Sequence, residues 1–475
     1  MKSTDLIKPY FKENRITLIS GIAGLILLDI LTLFIPRIVK NAVDGLTANR
    51  VTFTELLNYA GIIVGLSAVI AVMRYVARWS LFGTSRKMEE GLRNSLFAHL
   101  QTLSPSYFDS VKTGDLMAHA TNDMQHIRMA SGMGMVALTD AVFLGIAAIG
   151  FMAYIDVKLT LLVFIPMPLI IFGSRMFSKK MHKRYQQVQA AFADLTEAVR
   201  ERFSGIRIIK AFNREPEALA EMAAVSNDYI DKNIRLVRIT GSFFPMMLFF
   251  SNLSLTLVLF FGGRLTILAA ITTGDFVAFI NYLGLLTWPL MAMGWVTNLI
   301  QRGRASLDRI HAILMIRPEI EDAPTAVRLT SPQGAIKFEN VGFTYPGRNF
   351  PALTGINFTL SPKHIIGIVG PQGAGKSTLL NLIPRLYDTT EGRIRVDEID
   401  IRDIHLEDLR SAISHMPQEP VLFAGTLRDN IAFTSDTSED RRLSEVLTRA
   451  SFKEALSFRE GLHTPASRRW CRRRC

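Results

Sequence analysis

The chain has 475 residues, 49% of them hydrophobic and 20% charged, and a formal net charge of +12. With 30 Phe and 19 Met it is too apolar to be disordered. Its 2 Cys, Cys471 and Cys475, are too few for a disulfide scaffold, and Cys-x-x-x-Cys supplies too few thiolates for a structural zinc site. Nor does the charge read as a nucleic-acid footprint: six Arg against one Glu from Arg459 to Cys475 give +5 of the +12, and much of the rest flanks long apolar runs.

Six runs are nearly uncharged and long enough, or almost so, to cross about 30 Å of hydrocarbon as helices. They are 16–36 (broken only by Asp29), 56–73, 129–155 (broken only by Asp140), 159–174, 239–263 and 276–301. Only Asp156, Val157 and Lys158 separate the third from the short fourth, which predicts a tight helical hairpin. No Ala-x-Ala-like site follows the first run, so it reads as a retained span rather than a cleaved signal. Lys and Arg number four before the first run, seven in 74–128 and thirteen in 175–238, against three, one and one in the alternate connections. That asymmetry puts both termini in the cytoplasm of a multi-pass membrane protein. The two basic connections hold few Gly or Pro, and 92–103 and 181–202 read as helices that project beyond the bilayer.

Asp29 and Asp140 fall near the middle of their spans. An ionisable group there marks a water-filled, substrate-handling cavity, or a hydrogen-bonded carboxyl that holds two helices together. Trp288 and Trp295, seven residues apart, share one helix face that lines a cavity, packs, or joins an interfacial belt. Pro36, Pro166, Pro168, Pro245 and Pro289 are expected to bend their spans.

The composition changes near residue 318, where 318–334 reads as a linker. Residues 336–341 alternate with period two, as a half-buried strand does. Residues 365–369 read as a buried strand. That run feeds Gly370-Pro371-Gln372-Gly373-Ala374-Gly375-Lys376-Ser377-Thr378, which fits G-x-x-x-x-G-K-[ST], and a helical run at 379–386 follows. Glycines let backbone N–H groups curl around phosphate oxygens at a helix N-terminus, with Lys376 for the β/γ-phosphates and Ser377 for Mg²⁺. Asp397 and Glu398, after Ile394-Arg395-Val396, are a superficial candidate for the acidic group that phosphoryl transfer needs, and read instead as a hairpin turn.

Several stretches together resemble a half-transporter of the ATP-binding-cassette (ABC) exporter family, of the bacterial multidrug and lipid type. Thr113-Gly114-Asp115-Leu116-Met117 with Thr121-Asn122-Asp123 is similar to the family's first cytoplasmic loop. Gly205-Ile206-Arg207-Ile208-Ile209-Lys210-Ala211-Phe212 with Arg214-Glu215 is similar to the second. Phe343-Thr344-Tyr345 resembles the adenine-stacking segment, Gly370–Thr378 matches Walker A, and Met416-Pro417-Gln418-Glu419-Pro420 matches the Q-loop, with Asp429-Asn430-Ile431 continuing the pattern. Phe279–Leu299, and Gln301-Arg302-Gly303 after it, are most similar to the bacterial multidrug subgroup that often forms heterodimers. The resemblance covers about residues 10–464.

It implies a six-helix all-α transmembrane domain over 1–317, then an incomplete α/β P-loop nucleotide-binding domain over 335–464, in a bacterial inner membrane. It implies ATP with Mg²⁺, adenine on Tyr345, and Gln418 at the metal and the attacking water. It also implies a second half-transporter, in a homodimer or heterodimer, and a small hydrophobic or amphipathic substrate. After Thr464 the likeness stops. The 475 residues hold no LSGGQ, no Walker B strand and no switch histidine. Residues 465–475 read as an aberrant Arg-rich tail from a shifted frame or premature stop, or as a basic tail of a short variant. The expectation is ATP-driven export by the lineage. The alternative is a nucleotide-binding membrane subunit that does not hydrolyse ATP alone.

Overall fold

The structure, a computed structural model, describes residues 3–418, 421–433, 440–452 and 460–466. The chain divides into two units, Met1–Thr102 with Lys112–Ile316, and Leu103–Val111 with Arg317–Cys475.

The first unit is helical. The apolar runs fall in Arg15–Thr47, Phe53–Thr102, Met135–Ile155, the pair Val157–Val163 and Met167–Ser204, Glu215–Leu257, and Thr273–Leu314. Among the described residues four helices are long and apolar enough to cross a membrane: Arg15–Thr47, Phe53–Thr102, Thr113–Ile155 and Glu215–Ile267; Thr273–Leu286 is apolar but shorter. The fourth run is split, because the chain turns at 164–166 and Pro166 caps Met167–Ser204. Pro36, Pro245 and Pro289 lie inside helices that continue through them. The hairpin between the third and fourth runs is as tight as the spacing implies: Asp156 caps Val157–Val163, its side chain accepting from Leu159 N–H at 2.6 Å. At about 1.5 Å per residue the 50-residue helix Phe53–Thr102 is about 75 Å long, well beyond a bilayer.

Large side chains join these helices. Leu33, Met152, Leu159, Val258, Phe279 and Tyr282 form one buried cluster, and Tyr282 OH donates to Leu33 O at 3.0 Å. Met88, Leu92, Leu96, Met124, Leu307 and Ile310 form another. Between the end of Arg15–Thr47 and the start of Thr273–Leu314, Asp44 accepts from Thr272 Oγ1 (2.8 Å) and Gly274 N–H (2.7 Å), and Lys40 pairs with Asp275 at 2.5 Å. A side chain at Gly274 would run into Lys40 O and the Asp44 carboxylate.

In the second unit four strands form one sheet of order β2-β1-β3-β4: β1 Ile336–Phe343, β2 Leu353–Leu360, β3 Glu391–Val396, β4 Ile399–Asp400. Every neighbouring pair is antiparallel. β1 is the alternating segment expected at 336–341, extended by two residues, with Phe338, Val341 and Phe343 buried. Phe338 stacks on Phe358 of β2 at 4.4 Å. Helix Lys376–Leu382 adds Leu379 and Leu382 to this core. Asp397 and Glu398 make the expected turn, both with positive φ, and Asp397 accepts from Gln333 and Ala335 N–H at 2.7 and 2.9 Å.

Two expectations are corrected. Residues 365–369 are not a buried strand: no strand forms there, and Ile365 and Val369 are 98% and 96% exposed. A buried strand needs a paired neighbour on each edge and cover on both faces. Among the described residues neither edge of 365–369 is paired and nothing covers its ends. The helical run expected at 379–386 starts earlier and stops sooner, at Lys376–Leu382, with turns at 383–385. Of the tail expected over 465–475, Pro465–Ala466 pairs with Gly425–Thr426. Residues 467–475, with both cysteines, lie outside the described residues, as does Arg459.

Candidate functional site

The phosphate-binding loop follows from its glycines. Gly373 and Gly375 have φ of +82° and +83°, the left-handed region that side chains disfavour. Gly375 is doubly constrained, since a Cβ there would sit 2.7 Å from Ala352 O and 2.8 Å from Leu353 Cδ2. Helix Lys376–Leu382 begins at the next residue, so its unpaired first N–H groups face the loop. Lys376 Nζ donates to Gly370 O at 2.8 Å and Pro371 O at 2.7 Å, which anchors its ammonium inside the curve of the loop. Pro371, Gln372 and Ala374 are exposed along the loop, and Ser377 is exposed at the helix start. A concave run of backbone without side chains at three positions, one lysine ammonium and an exposed hydroxyl fit a Mg²⁺-bound polyphosphate.

Tyr345, two residues past β1, meets this loop. Its OH hydrogen-bonds Thr378 Oγ1 at 3.0 Å. Its ring makes edge contacts with Phe343 (centroids 4.8 Å) and Tyr387 (5.4 Å). The structure therefore brings Tyr345 and the P-loop residues together. Gln418 lies in an exposed bend without a hydrogen-bond partner among the described residues, and Glu419 and Pro420 lie outside them.

In the helical unit Asp29 is 4% exposed, and its Oδ2, like Asp140 Oδ1, is buried without a hydrogen-bond partner among the described residues. The two carboxylates and Arg74 are within electrostatic reach of one another. Each lies about one turn along its helix from the buried cluster of Leu25, Ala77 and Val136. Arg74 and Arg78, with Tyr75, Trp79 and Phe82, line an open hollow of about 680 Å³ along the helix Phe53–Thr102, and Asp29 and Asp140 are not among its lining residues. Trp288 and Trp295 are both exposed and are not among the residues lining it.

Two long-range pairings were not foreseen. Asp123, in the helical stretch Thr113–Ile155 but six residues ahead of its apolar run 129–155, is 5% exposed. It accepts from Arg309 Nε (3.0 Å), a second Arg309 nitrogen and Ser306 Oγ (2.8 Å), and His119 Nδ1 lies 2.7 Å away. Burial pushes its pKa up, but the hydrogen bonds from Arg309, His119 and Ser306 outweigh it and hold the carboxyl at about 2. The other pairing is Tyr387 OH to Asp109 at 2.7 Å. Each joins residues 186 and 278 positions apart, which no local periodicity encodes.

A family model described as ABC transporter transmembrane region matches residues 18–290, and one described as ABC transporter matches residues 353–465. The multidrug resistance-like ATP-binding protein MdlA of Escherichia coli (strain K12) is 33% identical over 462 residues, which are 97% of this chain and 78% of that protein. The probable multidrug resistance ABC transporter ATP-binding/permease protein YheI of Bacillus subtilis is 32% identical over 448 residues, 94% of this chain and 76% of that protein. The ATP-dependent lipid A-core flippase of Thiobacillus denitrificans is 29% identical over 433 residues, 90% and 73% of the two chains.

Proposed function

The chain belongs to the ABC transporter family, and from that premise we propose that it is one half of a dimeric exporter that uses ATP to move a small hydrophobic or amphipathic substrate out across the inner membrane. The observation that carries this reading is the joining, in one chain, of bilayer-length apolar helices to a P-loop whose Lys376 and left-handed Gly373 and Gly375 are set for a polyphosphate. Six spans with both termini in the cytoplasm are the topology we assign.

Bound Mg-ATP supplies the phosphoryl chemistry. Gly370, Pro371, Gln372, Gly373, Ala374 and Gly375 offer backbone N–H groups to the phosphates, except Pro371, which has none. Lys376 places positive charge at the β/γ-phosphates, Ser377 and Gln418 hold the metal, Thr378 anchors Tyr345, and Tyr345 offers its ring to the base. In the membrane region Asp29 and Asp140, with Trp288 and Trp295, are the candidate substrate contacts. A fluorescent ATP analogue titrated onto the purified chain tests the nucleotide site. Lys376→Ala is expected to weaken binding by about tenfold or more, the loss of one charge-assisted contact to phosphate. Equal affinity in the variant would remove Lys376 from the site.

A further inference from the structure

Three helices of the helical unit meet around a second, smaller hollow of about 100 Å³, which neither Asp29 nor Asp140 lines. Helix Arg15–Thr47 contributes Arg37, Lys40 and Asn41, whose spacing of i, i+3 and i+4 puts them on one face. Helix Met135–Ile155 contributes Phe151 and Tyr154, one turn apart. Asp275 and Tyr282 close it from Thr273–Leu314. The floor is fixed: the Phe151 and Tyr282 rings stack with centroids 5.4 Å apart, and Tyr282 OH is committed to Leu33 O. The rim carries two cations against one carboxylate. Lys40 and Asp275 satisfy each other at 2.5 Å. Asp44, two turns beyond Arg37 on the same helix, has both oxygens engaged by Thr272 and Gly274. Arg37 is left over. Its guanidinium carbon lies 5.9 Å from the centroid of the Tyr154 ring. That contact holds the charge over the ring face and uses none of its N–H donors. Among the described residues Arg37 has no carboxylate partner, and neither it nor the Asn41 amide has a hydrogen-bond partner. Both are exposed, so a ligand reaches them without any opening of the fold.

We propose that this hollow binds a phosphate group, with Arg37 and Asn41 donating to its oxygens and the aromatic floor beneath it. The site is separate from the P-loop. Only the side of the membrane that it faces, the outer one, rests on the topology assigned above. Arginine suits the task because its planar fork gives two parallel N–H bonds to one oxyanion, which the point charge of a lysine cannot. Tyr154 holds that fork in place from behind. A single water needs about 10–15 Å³ of such space, so the hollow has room for a small tetrahedral anion. A cationic group is disfavoured, because the uncompensated charge on the rim is positive. The same phosphate chemistry comes from two sources, free inorganic phosphate and the headgroup of an anionic lipid.

The test is the rate at which phenylglyoxal modifies Arg37 in the full chain, read by peptide mass spectrometry in maltoside micelles and phosphate-free buffer. Inorganic phosphate is titrated in one arm and phosphatidylglycerol is mixed into the micelles in the other. Arg50 and Arg264 are exposed, do not line the hollow and serve as internal controls. At saturation at least one ligand is expected to slow modification of Arg37 by about fivefold or more, as an engaged guanidinium requires, and to leave the two controls unchanged. Protection by phosphatidylglycerol alone identifies a lipid headgroup as the source, and protection by inorganic phosphate identifies the free anion. Asn41→Leu is expected to raise the protecting concentration by about fivefold, the loss of one hydrogen bond to an anion. Tyr154→Leu is expected to raise it by about threefold, the loss of one exposed cation–π contact. Both side chains are exposed, so neither change removes packing from the core. No protection of Arg37 by either ligand overturns the proposal. So does equal protection of Arg37, Arg50 and Arg264, which is the mark of bulk charge screening, or an unchanged protecting concentration in both variants.

Discussion

A carboxylate as enclosed as Asp123 is stable as an anion only because its neighbours are donors. Arg309 and Ser306 reach it from the far end of the sixth apolar helix, and His119 from one turn earlier on its own. Because its folded pKa of about 2 lies below the unfolded value near 3.9, the site stabilises the fold above about pH 4 and loses that contribution as pH falls toward 2. Arg309 is half exposed, so solvent screens the pair and the contribution is about 1–2 kcal/mol rather than that of a dry ion pair. Asp123→Asn is therefore expected to lower unfolding stability by about 1–2 kcal/mol at pH 7 and by almost nothing near pH 2. Urea unfolding followed by Trp fluorescence at the two pH values reads this, and a penalty that does not change with pH would place the effect in packing alone. Asp123 stood in the sequence within Thr121-Asn122-Asp123, but Arg309 did not stand near it. The motif showed that the position matters without showing what it holds.

Pairs of helices show the same division between local and long-range information. The turn between the third and fourth apolar runs was legible because its instruction is local: Asp156 three residues before the N–H it caps. The junction of Arg15–Thr47 with Thr273–Leu314 was not, because Gly274 and Asp44 are 230 residues apart. There the backbone of one helix start fits against Lys40 O and Asp44 only without a side chain. Gly274→Ala is expected to cost about 1–3 kcal/mol by forcing the two helices apart, and Asp44→Ala a similar amount by leaving the Gly274 N–H and Thr272 hydroxyl unpaired. Since both changes break one contact, their double variant should cost clearly less than the sum. Strict additivity in thermal unfolding would mean that the two residues act separately. The segment 365–369 is the opposite case: its β-branched apolar residues favour a strand, but a strand is completed by its neighbours, and among the described residues it has none. Composition could state that preference and could not supply the pairing.

Across the whole helical unit, three helices bring Asp29, Asp140 and Arg74 within electrostatic reach of one another. The sequence identified the two carboxylates by their cost, and left open whether they line a wet cavity or hold helices together. The structure adds the cation that neither reading anticipated, on a helix face that borders an open hollow of about 680 Å³. Counting charges separates the readings. If the carboxylates are ionised and compensated by Arg74, then Arg74→Ala leaves two like charges facing each other. The expected destabilisation is about 1–3 kcal/mol, less than for a fully buried pair because Arg74 is itself exposed. Adding Asp29→Asn to Arg74→Ala then removes one of the repelling charges and should recover much of that loss, although Asp29→Asn alone gains nothing. A helix-holding role for a neutral Asp29 predicts the reverse order. Asp29→Asn would be nearly silent in every background, Arg74→Ala would be harmless, and Asp29→Leu would be damaging because the polar contact itself is lost. Thermal unfolding of the four variants in one lipid composition distinguishes these orders. A recovery specific to the Arg74→Ala background would establish that the two carboxylates are ionised and held together by Arg74.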